Sequence, residues 1–269
     1  MNLSIITINW NNGDALQKTM QSVYDQSYHD YEYVVIDGKS TDNSVGIIKD
    51  YALKFEDKLN WVSEKDAGIY NAMNKGILRS KGKYLFFLNS GDVFYSPTVL
   101  EDIFKVECDD DFVIGKVNIV DNGKIILESV GPSRDLSLFS LYMTGIPHQA
   151  SFIKRELFKE TPYDENLKIN SDWKFFLQKL ILEDASLKIV NYIIANYDNS
   201  GLSSVNKELL LKERQMVFKE LVPKRISSDY NALFPHYYEI TRMNWLLKHK
   251  WAYRIYRAFV SMGMRITHK

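Results

Sequence analysis

The stretch YLFFLNSGDVF, residues 84–94, decides how the rest of the chain is read. Tyr84 to Leu88 is an unbroken apolar run. A strand with one wet face would alternate, so this run predicts a strand buried on both sides. It stops abruptly on Asn89-Ser90-Gly91-Asp92. An aspartate after Ser-Gly is by default a turn residue. A carboxylate at the end of a buried strand can also hold a cation, and the choice depends on how the other strands end.

They end the same way. LSIITIN (3–9) carries Thr7 and Asn9 at its close, YEYVVID (31–37) ends on Asp37 before Gly38, and LNWVSE (59–64) is followed by Asp66. Between these runs lie helix patterns. Residues 15–26 space Leu16, Met20, Val23 and Tyr24 along one face, VGIIKDYALKF follows the N-cap types Ser40 and Asp42, and 66–82 closes on glycine. Strand, turn, helix, repeated to a fourth strand, predicts an α/β fold with a mainly parallel central sheet covered by helices on both faces. In such a sheet ligands bind beyond the carboxyl ends of the strands, so all four loops are expected at one crevice.

Beyond Pro97 the alternation loosens. A helix at PTVLEDIFKV, a hairpin turning on DNG, a helix within RDLSLFSLYMT, a strand running into a short helix at HQASFIKRELF, a long amphipathic helix at SDWKFFLQKLILED and a strand at LKIVNYIIANYDN are expected. From about residue 205 the pattern is mostly helical. The expected division is an α/β domain over 1–204, in two halves (1–95 and 96–204), and a helical extension over 205–269.

Composition excludes several classes. The 269 residues carry 34 basic and 34 acidic side chains, so net charge points to no polyanionic partner. The single cysteine, Cys108, rules out an internal disulfide framework and argues against a thiolate zinc site. There is no G-x-G-x-x-G after the first strand and no G-x-x-x-x-G-K-[ST], which argues against dinucleotide and P-loop chemistry. The N-terminus lacks a basic n-region, and no window approaches the ~18 apolar residues that span a bilayer. A cytoplasmic location is expected.

With these motifs in view, SIITINWNN, VVIDGKSTDNS, SEKDAGIYNAMNKGI and FLNSGD together resemble family 2 glycosyltransferases, over residues 3 to about 175. The resemblance implies a GT-A fold and transfer of a sugar from a nucleotide-sugar donor, by preference a UDP-sugar, with inversion and with Mg²⁺ or Mn²⁺. It implies that Thr7, Asn9, Asp37, Gly38, Ser40, Asp66, Asn71, Asn74, Lys75, Asn89, Ser90 and Gly91 border the donor, that Asp92 holds the metal, and that Asp172 in NSDW is the catalytic base. His148 in GIPHQASF is a candidate third contact to the metal or diphosphate. The sequence departs from the family where Asn89 and Gly91 stand in place of acids, leaving Asp92 as the motif's one carboxylate, and where Asn71 replaces an Asp common in relatives. A cation held by one carboxylate would depend on substrate phosphates and water to fill its shell.

The chemistry needs a carboxylate to take the acceptor hydroxyl's proton and a positive group to meet the charge on the leaving diphosphate. Residues 240–269 contain no Asp or Glu, but carry Arg242, Lys248, Lys250, Arg254, Arg257, Arg265 and Lys269 interleaved with Trp245, Trp251, Tyr253, Tyr256 and Phe259. That pattern fits a helix lying on an anionic membrane surface, where a lipid-linked saccharide acceptor for surface-polysaccharide assembly would be found. A helix packed on the domain, or a dimer contact, is the plainer alternative, and nothing beyond charge supports nucleic acid. The rival readings are a nucleotidyltransferase, which would want a more basic first loop than NWNNGD, and an inactive sugar-nucleotide binder or membrane-surface protein.

Overall fold

A computed structural model of the chain describes residues 2–105, 108–132, 136–199, 201, 206–233 and 236–267. The first half follows the expected alternation. Strands β1 (Leu3–Asn9), β2 (Tyr31–Asp37), β3 (Leu59–Ser63) and β4 (Tyr84–Phe87) are joined by helices α1 (Gly13–Tyr24), α2 (Ser44–Phe55) and α3 (Ile69–Arg79). β1 pairs in parallel with both β2 and β4, and β2 with β3. β2 and β4 are buried along their whole length, as their unbroken apolar runs require. α3 comes so close to the sheet that a Cβ on Gly76 would sit 2.5 Å from the Ile6 side chain.

The second half adds strands of both directions. β5 (Val93–Phe94), α4 (Val99–Phe104), the hairpin β6 (Phe112–Asp121) and β7 (Lys124–Val130), α5 (Leu138–Thr144), β8 (Ser151–Lys154), α6 (Ser171–Phe176) and β9 (Leu187–Asp198) follow in chain order. The sheet order is β3-β2-β1-β4-β8-β6-β9-β5, with β7 on β6. β8 runs antiparallel to β4 and β6, while β9 runs parallel to β6. The β5–β9 pairing, Val93 opposite Asn196, brings the end of β9 beside the turn that follows β4. Phe86 stacks between Phe94 and Phe152 at 5.3 and 4.6 Å, joining the two halves in one core. Truncating such a ring to alanine typically costs about 3–5 kcal/mol.

Three local expectations are corrected. α3 begins at Ile69 rather than Asp66. The amphipathic run after Asn170 is α-helical only to Phe176 and continues as a π-helical segment, Leu177–Leu182. Neither Ser40 nor Asp42 caps α2: Asn43 holds that position without a side-chain bond, and Asp42 instead accepts the N–H groups of Ser44 and Gly13, tying the starts of α1 and α2 together.

The chain divides into two compact units, residues 1–214 and 215–269. The helices after β9 are α7 (Lys207–Leu221), α8 (Lys224–Leu233), α9 (Tyr237–Lys248) and α10 (Lys250–Thr267). In the second unit the Phe218 and Tyr230 rings meet at 5.4 Å, and Trp245 stacks on His249. α10 exposes Trp251, Ile255 and Phe259, one turn apart, with Trp251 64% and Phe259 70% accessible. The side chain of Arg265, and Lys269 altogether, lie outside the described residues. Among the described residues no helix is long and apolar enough to cross a membrane.

Candidate active site

A cavity of about 480 Å³ opens in the first unit beyond the carboxyl ends of β1 and β4. Its wall includes Asn9, Trp10, Tyr70, Asn89, Ser90, Asp92, His148, Asp172, Asp198 and Arg214. Six of the residues expected from the sequence are therefore brought to one space, from loops far apart in the chain.

The turn after β4 is held from α1. The Gly91 N–H donates to the Thr19 hydroxyl, which donates to the Asp92 carbonyl at 2.8 Å. Gly91 has φ +110, a conformation that favours glycine, and a Cβ there would lie 3.4 Å from the Asp198 carboxylate. Asp92 is 4% exposed, and its Oδ1 accepts the Asp198 N–H at 2.9 Å. Burial pushes its carboxyl up to about 7, against the hydrogen bonds it receives, and the nearby Asp198 charge adds to the rise. The strand pairing thus supplies a second carboxylate that FLNSGD itself lacks. The strand-end rule applied to NYDN would have found it.

Asp172 stands in the first turn of α6, on the far wall. Its Oδ1 accepts the Trp173 N–H and lies 2.9 Å from the Tyr70 hydroxyl, and its Oδ2 lies 3.0 Å from His148 Nδ1. Burial opposes ionisation, but His148, Tyr70 and the Trp173 N–H outweigh it and hold the carboxyl below its ordinary value. The Tyr70 proton is shared with the Ile169 carbonyl at 2.5 Å. The loop before Asp172 is fixed by Glu213, whose carboxylate accepts the N–H groups of Lys168, Ile169 and Asn170.

His148 joins the two walls. An ionised Asp172 calls for a proton on Nδ1. In the neutral ring Nε2 then accepts from the Asn89 amide nitrogen 3.2 Å away. Both ring nitrogens are engaged with protein partners, so a contact from His148 to a metal or diphosphate would require the Asn89 bond to give way. Asn89 Oδ1 is left buried with no partner.

Other expected residues have different partners. Thr7 is fully buried: its hydroxyl donates to the Leu88 carbonyl at 2.6 Å and pairs with Tyr33. Asp37 is also fully buried, and its carboxylate accepts from Asn9, from the Ser40 hydroxyl and N–H, and from Ser63. It organises the loops after β1, β2 and β3 rather than facing the cavity. Lys75 bridges Asp66 at 2.7 Å and Glu64 at 2.9 Å. Gly38 is pressed against this cluster, since a Cβ would meet Asp66 Oδ2 at 3.0 Å and Trp10 at 3.3 Å. Asn71 and Asn74 turn away from the cavity. Both donate to Glu165, and Asn74 also clasps the Tyr163 backbone, so they fasten the loop that leads to Asp172. Trp10, Tyr70, Asp198 and Arg214 are cavity residues that pattern reading did not single out. Trp10, 71% exposed at the end of β1, was visible in INWNN as a large aromatic where the chain should turn.

As a metal site the donor set is partial. Among the described residues no three His, Cys, Asp or Glu side chains cluster as a ready-made site. Asp92, Asp198 and the unpartnered Asn89 oxygen are nonetheless hard oxygen donors on one turn and its neighbouring strand. They fit Mg²⁺ or Mn²⁺ whose shell is completed by phosphate and water.

Comparison with known proteins bears on the family and the fold. The family model described as glycosyl transferase family 2 matches residues 4–159. An uncharacterized glycosyltransferase of Mycobacterium tuberculosis is 33% identical over 213 residues, 75% of this chain and 77% of that protein. The crystal structure of Staphylococcus aureus TarS 1-349 in complex with UDP superposes with a TM-score of 0.62 at 19% identity, covering 87% of this chain and 74% of that one. The chain spans 39% of the longer TarS chain in a further crystal structure. The mannosyltransferase PcManGT of Pyrobaculum calidifontis, in complex with GDP-Man and Mn²⁺, gives a TM-score of 0.61 at 14% identity, covering 98% of this chain and 80% of that one. With a family match over more than half its length and strand-end loops arranged around one cavity, the chain belongs to glycosyltransferase family 2 and has the GT-A fold.

Proposed function

We propose that the protein is an inverting, metal-dependent glycosyltransferase that moves a sugar from a UDP-sugar to a hydroxyl of a saccharide acceptor. The observation that carries this reading is Asp172, a carboxylate held ionised on the cavity wall and linked through His148 to Asn89 in the turn after β4. A general base must be ionised, and it must be fixed relative to the bond that breaks.

In this reading the acceptor hydroxyl gives its proton to Asp172 as its oxygen attacks the anomeric carbon from the side opposite UDP. His148 and the Trp173 N–H keep the Asp172 carboxylate in one orientation during that transfer. Asp92, Asp198 and Asn89 would hold the cation, which when bound neutralises charge on the leaving diphosphate. Trp10 and Asn9 border the nucleoside, with Gly38, Ser40, Asp66 and Lys75 forming the layer behind them. The TarS complex with UDP supports the choice of nucleotide, and the PcManGT complex with Mn²⁺ supports the metal. The acidless stretch 240–269 and the apolar face of α10 support peripheral attachment to an anionic membrane carrying a lipid-linked acceptor in surface-polysaccharide assembly.

The test is thermal unfolding with a panel of nucleoside diphosphates, with and without Mn²⁺. A UDP-selective, Mn²⁺-dependent rise in Tm is expected. No rise with any nucleotide rejects the reading.

A further inference from the structure

Arg214 is a partly compensated cation on the cavity wall. Its guanidinium lies over the Trp173 ring, 5.1 Å from the centroid, and Nη1 donates to the Tyr142 carbonyl at 3.2 Å. Nε is buried without a partner. Among the described residues, the Tyr142 bond is the only hydrogen bond the guanidinium makes, and no Asp or Glu forms an ion pair with it. Burial pulls its pKa down, and the nearby Asp172 charge only partly offsets this.

A guanidinium has five N–H groups in a planar fork, and removing it from water is costly unless an anion takes those donors. Here the protein supplies one carbonyl and an aromatic face, which fix the fork without neutralising it. Its position says which substrate would do so. The contacts run in a chain from Asn89 through His148 to Asp172, and from Asp172 through Trp173 to Arg214. Arg214 thus lines the cavity beside the base, and among the described residues its side chain makes no hydrogen bond to the turn assigned to the donor. It is close enough to Asp172 to feel its charge.

We propose that Arg214 binds an anionic group, carboxylate or phosphate, carried by the acceptor next to the hydroxyl that Asp172 deprotonates. The proposal rests on the assignment of Asp172 as the base. It makes the acceptor an acidic saccharide or a sugar phosphate rather than a neutral glycan. The planar fork suits both oxyanions, which it can engage through two parallel hydrogen bonds.

The test uses the full chain saturated with UDP and Mn²⁺, once the thermal shift described above has been observed. Glucuronate, glucose 6-phosphate and neutral glucose are titrated calorimetrically, so the acidic arms separate carboxylate from phosphate. At least one acidic sugar is expected to bind about tenfold more tightly than glucose, as a charge-assisted pair would give. Arg214→Gln is expected to bring the preference to near unity with the UDP shift unchanged, and Arg214→Lys to keep part of it. Equal binding of all three sugars, or a preference that survives in Arg214→Gln, overturns the proposal. So does loss of the UDP shift in a folded Arg214→Lys protein, which would assign the arginine to the leaving diphosphate. Absence of the UDP shift in the wild type removes the donor reading and this proposal with it.

Discussion

His148 Nδ1 lies 3.0 Å from Asp172 Oδ2, while the other nitrogen of the same ring lies 3.2 Å from the Asn89 side chain. One imidazole thus spans the distance between the carboxylate assigned to the acceptor and the turn assigned to the donor. Orientation of the base and placement of the donor turn are coupled through it.

Asp172→Asn should lower kcat about 10²–10⁴-fold, the usual worth of a positioned base, with the UDP-dependent Tm shift unchanged. His148→Gln should lower kcat less, about 10–100-fold, and move the acid limb of the pH–rate profile upward. The sign follows from Asp172: its folded pKa is depressed, with His148 the largest favourable contributor. The active, ionised form therefore persists to lower pH with His148 than without it. An unmoved acid limb in His148→Gln would remove the link between the two residues.

Asp92→Asn should stabilise the metal-free protein at pH 8, and by clearly less at pH 5. Burial raises the Asp92 pKa to about 7, so folding binds a proton more tightly between its ordinary value and 7, and stability is lost as pH rises through that window. An uncharged amide escapes the penalty, which is on the order of a few kcal/mol for a shift of this size. Thermal unfolding at the two pH values measures it, and the same variant should lose the Mn²⁺-dependent shift with UDP.

Mn²⁺ in the presence of UDP should bind about fivefold more weakly at pH 6 than at pH 7, because a cation must displace the proton that Asp92 holds with a pKa of about 7. Asp198→Asn should weaken Mn²⁺ binding at both pH values while flattening that dependence, since the Asp198 charge is one cause of the raised pKa. Calorimetric titration of Mn²⁺ checks both. Unaltered Mn²⁺ binding in Asp198→Asn would return the site to a single carboxylate.

Vesicles containing anionic lipid should retain the full chain at low salt and release it as salt rises, and neutral vesicles should bind it weakly. Trp251→Ser with Phe259→Ser should reduce binding at all salt concentrations, because both rings are exposed on one face of α10. Co-sedimentation reads this directly, and equal binding of the double variant would reject α10 as the contact.

Much of the fold was legible because it rests on short-range patterns. Buried parallel strands must be apolar on both faces, so YVVI and YLFF announced β2 and β4. The topological rule then gathered their ends. The site was legible only in part. Asp92, Asn89, Asn9, Ser90, His148 and Asp172 reach the cavity as expected. Asp37, Thr7, Asn71 and Asn74 do not, because each has hydrogen-bond partners from other segments: four donors for Asp37, and Tyr163 with Glu165 for Asn74. A motif marks a polar residue near a site without saying whether a neighbour already satisfies it.

By itself the sequence determined the order of strands and helices, the parallel half of the sheet and the edge at which acids collect. Burial and periodicity are encoded locally, within a few residues. Tertiary structure decided which of those acids stays open and what charge it carries. Pairing of β5 with β9 set Asp198 beside Asp92, and packing of α3 against the loop before α6 put Tyr70 on Asp172, 102 residues away. Desolvation and hydrogen bonding, which fix a carboxyl's protonation and reach, come from whatever the fold places around it, and no local pattern holds that information.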